Sequence, residues 1–267
     1  MISLAHIVNL AAVDPNSDLG RAQPITVETM RQARNWSAGE TNVELCAACF
    51  PEDAQLVPAG FRRVRDLDRS VLDLATFALP RRLPVLADIL GRLHGESEAE
   101  FLIYTNADIG VLPSFYQTID AFAHEGYDAI VINRRTLPAE LQTLDDLPRS
   151  YAAVGEAHIG HDCFAFRREL FPRFVLGEAA IGVRLVGRVL LWNLAAFGTR
   201  FAEFTDLHLT FHHGSDRSWQ QARYADYDAF NARQARRVLD ALGGTPGALE
   251  RVQARLPGYL AGILPRG

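Results

Sequence analysis

Apolar runs of strand length alternate with amphipathic runs of helix length along almost the whole chain, and this alternation limits the fold more than any other feature. Strand-like runs fall at 5–12, 43–50, 101–105, 129–133, 163–167 and 207–212, with helical periodicity at 26–38, 84–94, 113–125, 168–174, 181–197 and 224–242. Strands joined through helices pair in parallel, because a parallel connection needs a crossover long enough to hold a helix. The helices then cover both faces. The spacing predicts an α/β fold with a mainly parallel central sheet flanked by helices. Pro84 and Pro113 suit the first turn of their helices, where a missing N–H costs nothing. The run Gly243-Gly244-Thr245-Pro246-Gly247 is the one strong break. We expect one domain over 1–242 and an amphipathic tail, 243–267, packed on the same domain.

Composition removes several chemistries. Acidic residues outnumber basic ones 32 to 27, which argues against broad electrostatic binding of nucleic acid. The chain contains no lysine, so its basic residues are all arginine. Arginine does not deprotonate, and this excludes Schiff-base and pyridoxal phosphate chemistry. A Walker A loop and a kinase phosphate-binding lysine fall with it. Three cysteines build no disulfide framework, and an odd count points to a reducing compartment. Cys46 and Cys49 have the spacing of a redox or half-zinc motif. They lie in an apolar strand-like run, where positions three apart face opposite sides, and no second pair completes a zinc site. The core reading is preferred. The N-terminus lacks a positive region and a long apolar stretch, so it reads as a first strand and not a signal peptide. No run approaches the ~20 apolar residues of a membrane span. A cytoplasmic protein is expected.

In open α/β sheets ligands bind beyond the carboxyl ends of the strands, so the residues just past each strand matter most. Asn9 follows the first strand, but no G-x-G-x-x-G does, and a dinucleotide fingerprint is missing. The central run 101–105 leads straight into Asn106-Ala107-Asp108. Two hard oxygen ligands two apart at a strand end suit Mg²⁺ or Mn²⁺ carried in with a diphosphate, although Asp and Asn also populate such turns for local reasons. Further on, His208, His212 and His213 fall within six residues, followed by Gly214, Asp216, Arg217 and Trp219. That is a polar loop able to grip a ligand, and its spacing does not match the H-E-x-x-H of zinc proteases. A third polar patch, Glu156 to Asp162, contains His158 and His161 and precedes a strand. His161 and Asp162 there either orient a hydroxyl or cap the turn.

The order of these elements resembles the GT-A glycosyltransferases, the nucleotide-diphospho-sugar transferase fold, and is similar to their family-2-like members. Asn106-Ala107-Asp108 stands where the D-x-D metal motif sits in that family, and 160–168 resembles its acceptor region, G-x-D-x-F-x-x-R-R. His212 or His213 resembles the late metal histidine. The likeness spans roughly 5–219. It departs at Asn106, which replaces an acidic residue, in the opening segment, and at the E-D base motif, for which Gly177-Glu178 is the nearest match.

The resemblance implies a metal-dependent transfer of a sugar from a nucleotide-diphosphate donor to a hydroxyl of an unidentified glycan or small molecule. Asn9, Arg82, Asn106 and Asp108 would contact the donor. A divalent cation, Mn²⁺ or Mg²⁺, would be held among Asn106, Asp108, His212 and His213. Asp162 and Glu178 are the candidate bases, and His158, His161, Arg217 and Trp219 the candidate acceptor contacts. Such a reaction leaves charge on the departing phosphate, which a cation and arginines neutralise, while a carboxylate takes the hydroxyl proton. A non-catalytic sugar-nucleotide or glycan-binding module is the alternative. A sugar nucleotidyltransferase is another, but the segment 10–20 lacks the basic, Gly-rich loop it needs. A metal hydrolase rests on the histidine cluster alone.

Overall fold

A computed structural model gives the structure of residues 2–213 and 222–260. Among these, nine strands form one sheet: β1 (Ser3–Asn9), β2 (Asn42–Ala48), β3 (Arg62–Arg63), β4 (Phe101–Thr105), β5 (Ile109–Val111), β6 (Ala129–Thr136), β7 (Glu156–Arg167), β8 (Phe201–Phe204) and β9 (Thr210–His212). Their order is β3-β2-β1-β4-β7-β6-β9-β5, with β8 also on β6. Strand β1 runs parallel to β2 and β4, β2 to β3, and β6 to β8 and β9; β7 is antiparallel to both neighbours, and β5 to β9. The described helices are α1 (Asp18–Trp36), α2 (Leu86–Glu96), α3 (Phe115–His124), α4 (Leu147–Ala152), α5 (Val186–Phe197), α6 (Ala225–Gly243) and α7 (Ala248–Arg255). None is long and apolar enough to cross a membrane.

The central strands are apolar on both faces, and successive residues divide between two cores. Leu102 and Tyr104 of β4, Val131 of β6 and Phe164 and Phe166 of β7 pack with α2, α5, α6 and α7. Phe101 and Ile103, Ile132, and Cys163 and Ala165 pack on the other side with Met30 of α1 and Phe115, Tyr116 and Ile119 of α3. Cys46 and Cys49 are buried free thiols, in agreement with the core reading. Helix α7 covers the C-terminal end of α5 and the turn after it: Arg251 donates to Ala196 O, and Arg255 to the carbonyls of Ala195, Gly198 and Thr199.

Several segments differ from the sequence-based expectation, among them these four. Helix α1 begins at Asp18 and includes Pro24, because Ser17 caps it by accepting the Gly20 N–H and because Gly20 has no Cβ to strike Asp14 O. Helix α5 starts at Val186 and not at 181, since Asn231 of α6 hydrogen-bonds both backbone groups of Ala180 and the Arg184 carbonyl. Ala180 thereby bridges Val85 in extended form. The polar patch at 156–162 is itself strand, the outer half of β7. Only Thr210–His212 of the histidine-rich segment is strand.

Candidate active site

Strands β4, β5, β6, β7 and β9 bring the polar residues together at the carboxyl end of β4. Past Thr105 the chain turns, and the Asn106 N–H donates to the Asp162 carbonyl (3.2 Å). The Asn106 side chain is engaged at both ends. Its Oδ1 accepts the Tyr104 hydroxyl at 2.8 Å, and its Nδ2 donates to Asp162 Oδ1 at 2.8 Å. Burial, followed by the charges of Asp108 and Asp162, pushes the Tyr104 hydroxyl well up, so it stays a donor. The other carboxylate oxygen of Asp162 takes the Arg134 guanidinium of β6. Asp162 thus ties the ends of β4, β6 and β7.

Asp108 faces β9. Its Oδ2 lies 3.2 Å from His212 Nε2, while its Oδ1 is buried and has no hydrogen-bond partner among the described residues. Burial alone would raise this carboxyl. The hydrogen bond and charge of His212, then the charge of Arg134, outweigh burial and hold it below the ordinary carboxylate range. The register explains the meeting. His212 pairs with Ile109 of β5, the residue after Asp108, and Gly110 leaves room for the Phe211 ring, which a Cβ would approach to 2.3 Å. An orphaned carboxylate oxygen beside an imidazole nitrogen is a donor set suited to a divalent cation. No three His, Cys, Asp or Glu side chains among the described residues form a cage, so any such ion would complete its shell with substrate or water oxygens.

The remaining expected residues lie in other settings. His213 is buried, its Nε2 3.1 Å from Ser150 Oγ of α4 and its ring edge-on to Phe211; burial, with the charge of His212 behind it, lowers it to about 4. Asn9 donates from Nδ2 to the Ala48 carbonyl (3.0 Å). Arg82 pairs with Glu52 and lies 4.1 Å over the Phe50 ring. Glu178 is 3.2 Å from Arg69, which also binds Asp88. His158 accepts the Gly160 N–H, within its own strand. Arg217 and Trp219 lie outside the described residues.

His161 lines a cavity with Tyr104, Asn106, Phe164, Val186, Gly187 and Leu190. Strict alternation from Phe164 would turn it to the opposite face. The register shift between Ile132 and Asn133 of β6 breaks that alternation, and His161 meets Glu203 of β8 at 2.9 Å. Sequence reasoning missed Tyr104, Arg134, Glu203 and Tyr259. Arg134 carried a signal, since an apolar strand that ends in Asn133-Arg134-Arg135 aims charge at the sheet's working edge. Glu203 carried none, because β8 is four residues long.

No family model matches the sequence, and no curated protein matches it. Solved structures do. S. aureus TarS (residues 1–349), solved with UDP-GlcNAc, is 9% identical, with a TM-score of 0.55 over 95% of this chain and 73% of its own. Glucosyl-3-phosphoglycerate synthase from Mycobacterium tuberculosis, solved with Mn²⁺, UDP and glucosyl-3-phosphoglycerate, is 15% identical, with a TM-score of 0.50 over 88% of this chain and 80% of its own. A mycobacterial protein is 16% identical, with a TM-score of 0.50 over 91% and 75%. The chain has the fold of these structures, the GT-A arrangement of a mostly parallel sheet flanked by helices.

Proposed function

We propose that this chain is a glycosyltransferase that moves a sugar from a nucleotide-diphosphate donor, a UDP-sugar first among the candidates, to a hydroxyl acceptor. The observation that carries this reading is the orphaned Asp108 oxygen beside His212, at the strand end where this fold binds its donor. Neighbours of the same fold solved with UDP-GlcNAc, or with UDP and Mn²⁺, support it. Asp108 and His212 would hold Mn²⁺ or Mg²⁺. When bound, the cation supplies positive charge against the diphosphate as it departs.

The chain's own residues prepare that site. The charge of Arg134 helps keep Asp108 ionised, and the Tyr104–Asn106–Asp162 hydrogen bonds fix the turn that presents it. Asn106 serves here as a strut more than as a ligand, since both ends of its amide are engaged. Asn9, at the end of β1, and the exposed segment 12–16 offer the nucleotide a face. Arg82 would have to leave Glu52 to join them.

The test is a thermal-shift series with UDP, UDP-GlcNAc and UDP-glucose, each with Mn²⁺ or EDTA. At a hundredfold excess over Kd, linkage gives about 2.7 kcal/mol and hence about 5–10 °C. We expect a shift that requires Mn²⁺ and that Asp108→Ala abolishes while the variant still unfolds in one cooperative melt. No shift with any nucleotide refutes the reading. A binding module is the second reading, favoured by the ion pairs that occupy Asp162 and Glu178. It predicts binding without release of UDP.

A further inference from the structure

We propose that His161 is the catalytic base that takes the proton of the attacking hydroxyl, and that Glu203 and Tyr259 are the residues that position it; this rests on the transferase reading above. Three donors converge on one oxygen. His161 Nε2 lies 2.9 Å from Glu203 Oε1, the Tyr259 hydroxyl donates to the same oxygen at 2.9 Å, and Asn133 Nδ2 approaches it at 3.5 Å. The Tyr259 ring stands edge-on to the imidazole, centroids 5.0 Å apart. Burial would raise the Glu203 carboxyl, but the bonds from His161 and Tyr259 outweigh it and keep it below its ordinary value.

An ionised Glu203 accepts a proton and cannot give one, so the Nε2 of a neutral His161 carries the hydrogen. The lone pair is therefore on Nδ1, which has no hydrogen-bond partner among the described residues. His161 lines the cavity that Asn106 and Tyr104 also line at the carboxyl end of β4. Gly187 closes that cavity at the start of α5. A Cβ there would come 2.4 Å from the His161 carbonyl, so this helix start presses on His161 only because the residue is glycine. The carboxylates expected as bases are committed elsewhere. Asp162 spends both oxygens on Arg134 and Asn106, and Glu178 is paired with Arg69.

The step balances without a further reactant. The acceptor's O–H bond breaks and its proton moves to Nδ1, while the oxygen's electron pair forms the bond to the anomeric carbon. The bond from that carbon to the β-phosphate oxygen breaks, and its pair leaves with the nucleoside diphosphate. The imidazolium so formed keeps its bond to Glu203, now between opposite charges and stronger. A base opposite the leaving group inverts the anomeric configuration.

The experiment uses the full chain with Mn²⁺, UDP-GlcNAc or UDP-glucose as donor and water as acceptor. It follows UDP release, the anomer first formed, and UDP affinity by calorimetry. We expect His161→Gln to lower release by about 100-fold with UDP affinity unchanged, in the range of a lost general base. Glu203→Gln keeps an acceptor for Nε2–H but loses the charge. Release should fall about tenfold with UDP affinity unchanged, and nitrogen-15 NMR should show a smaller share of the Nε2–H tautomer, because an amide oxygen accepts that hydrogen less strongly than a carboxylate. Nitrogen-15 NMR of the wild-type protein should show His161 protonated on Nε2, a readout independent of turnover and of variant folding. UDP binding and release in wild type with an unaffected His161→Gln, a retained anomeric configuration, or an Nδ1–H tautomer overturns the proposal alone. Absence of UDP binding in wild type overturns the transferase reading and this one together.

Discussion

Replacing Asp162 separates a structural tie from a catalytic carboxylate. Its side chain receives the Arg134 guanidinium on one oxygen and Asn106 Nδ2 at 2.8 Å on the other. Asp162→Ala removes both acceptors at once and leaves a cation whose side chain is 18% exposed without its counter-charge. Breaking one side of a buried pair costs about 3–5 kcal/mol, and the residual exposure here favours the lower end, about 3 kcal/mol. For a chain of this size that corresponds to a fall of about 6–12 °C in melting temperature. Asp162→Asn keeps one acceptor but turns an amide donor toward a guanidinium or an amide, for a loss of about 1.5–3 kcal/mol. Thermal and urea unfolding of Asp162→Ala, Arg134→Met and the double variant measure the coupling. If the pair acts as a unit, the double variant loses less than the sum of the singles, since the second removal takes away the group the first left stranded. Losses that simply add, or an Asp162→Ala melt within about 2 °C of wild type, refute the reasoning. Asp162→Asn should release UDP at a rate within tenfold of wild type. A 1,000-fold loss in a well-folded Asp162→Asn would return the base to this carboxylate.

Two further outcomes follow from the packing. Gly110→Ala drives a methyl to 2.3 Å from the Phe211 ring, which is fully buried among Ile25, Leu137 and Leu147; we expect a loss of about 1–3 kcal/mol in urea unfolding and, because His212 follows Phe211, a smaller Mn²⁺-dependent thermal shift. His6 is fully buried between Thr105 and Tyr116, each 2.9 Å from a ring nitrogen, and burial lowers it from 6.5 to about 3. Below pH 6.5 the unfolded chain binds the proton that the folded chain refuses, so stability falls as pH drops from 6.5 toward 3, by at most about 1.4 kcal/mol per pH unit. Urea unfolding of wild type against His6→Gln between pH 7 and 4.5 isolates the effect. A His6 ring signal that titrates near 6.5 contradicts it.

Local sequence determined the layered fold. Strand β4 was legible to the residue, because five apolar residues followed by Asn and Asp leave no other period. Helices α2, α3 and α6 fell within three residues of their observed ends, because an amphipathic stripe is written in the chain itself. Strands β5 and β8, at three and four residues, are too short to carry a period, and their extended form comes from the partners they meet, β9 and β6. The start of α5 was likewise settled from outside, by Asn231 of α6.

The candidate site divides the same way. Asn106, Asp108, Asp162, His161 and His212 were each identifiable as polar residues beside or at the end of an expected strand. Which of them face one another was not, because facing depends on register between strands far apart in sequence. The extra residue at Asp162 of β7, opposite the Ile132–Asn133 step of β6, turns His161 toward Glu203, and the β5–β9 pairing carries His212 to Asp108. A chain can announce its strands through local periodicity, but cross-strand neighbours are set only when the whole sheet closes and one residue of slip would reverse every face.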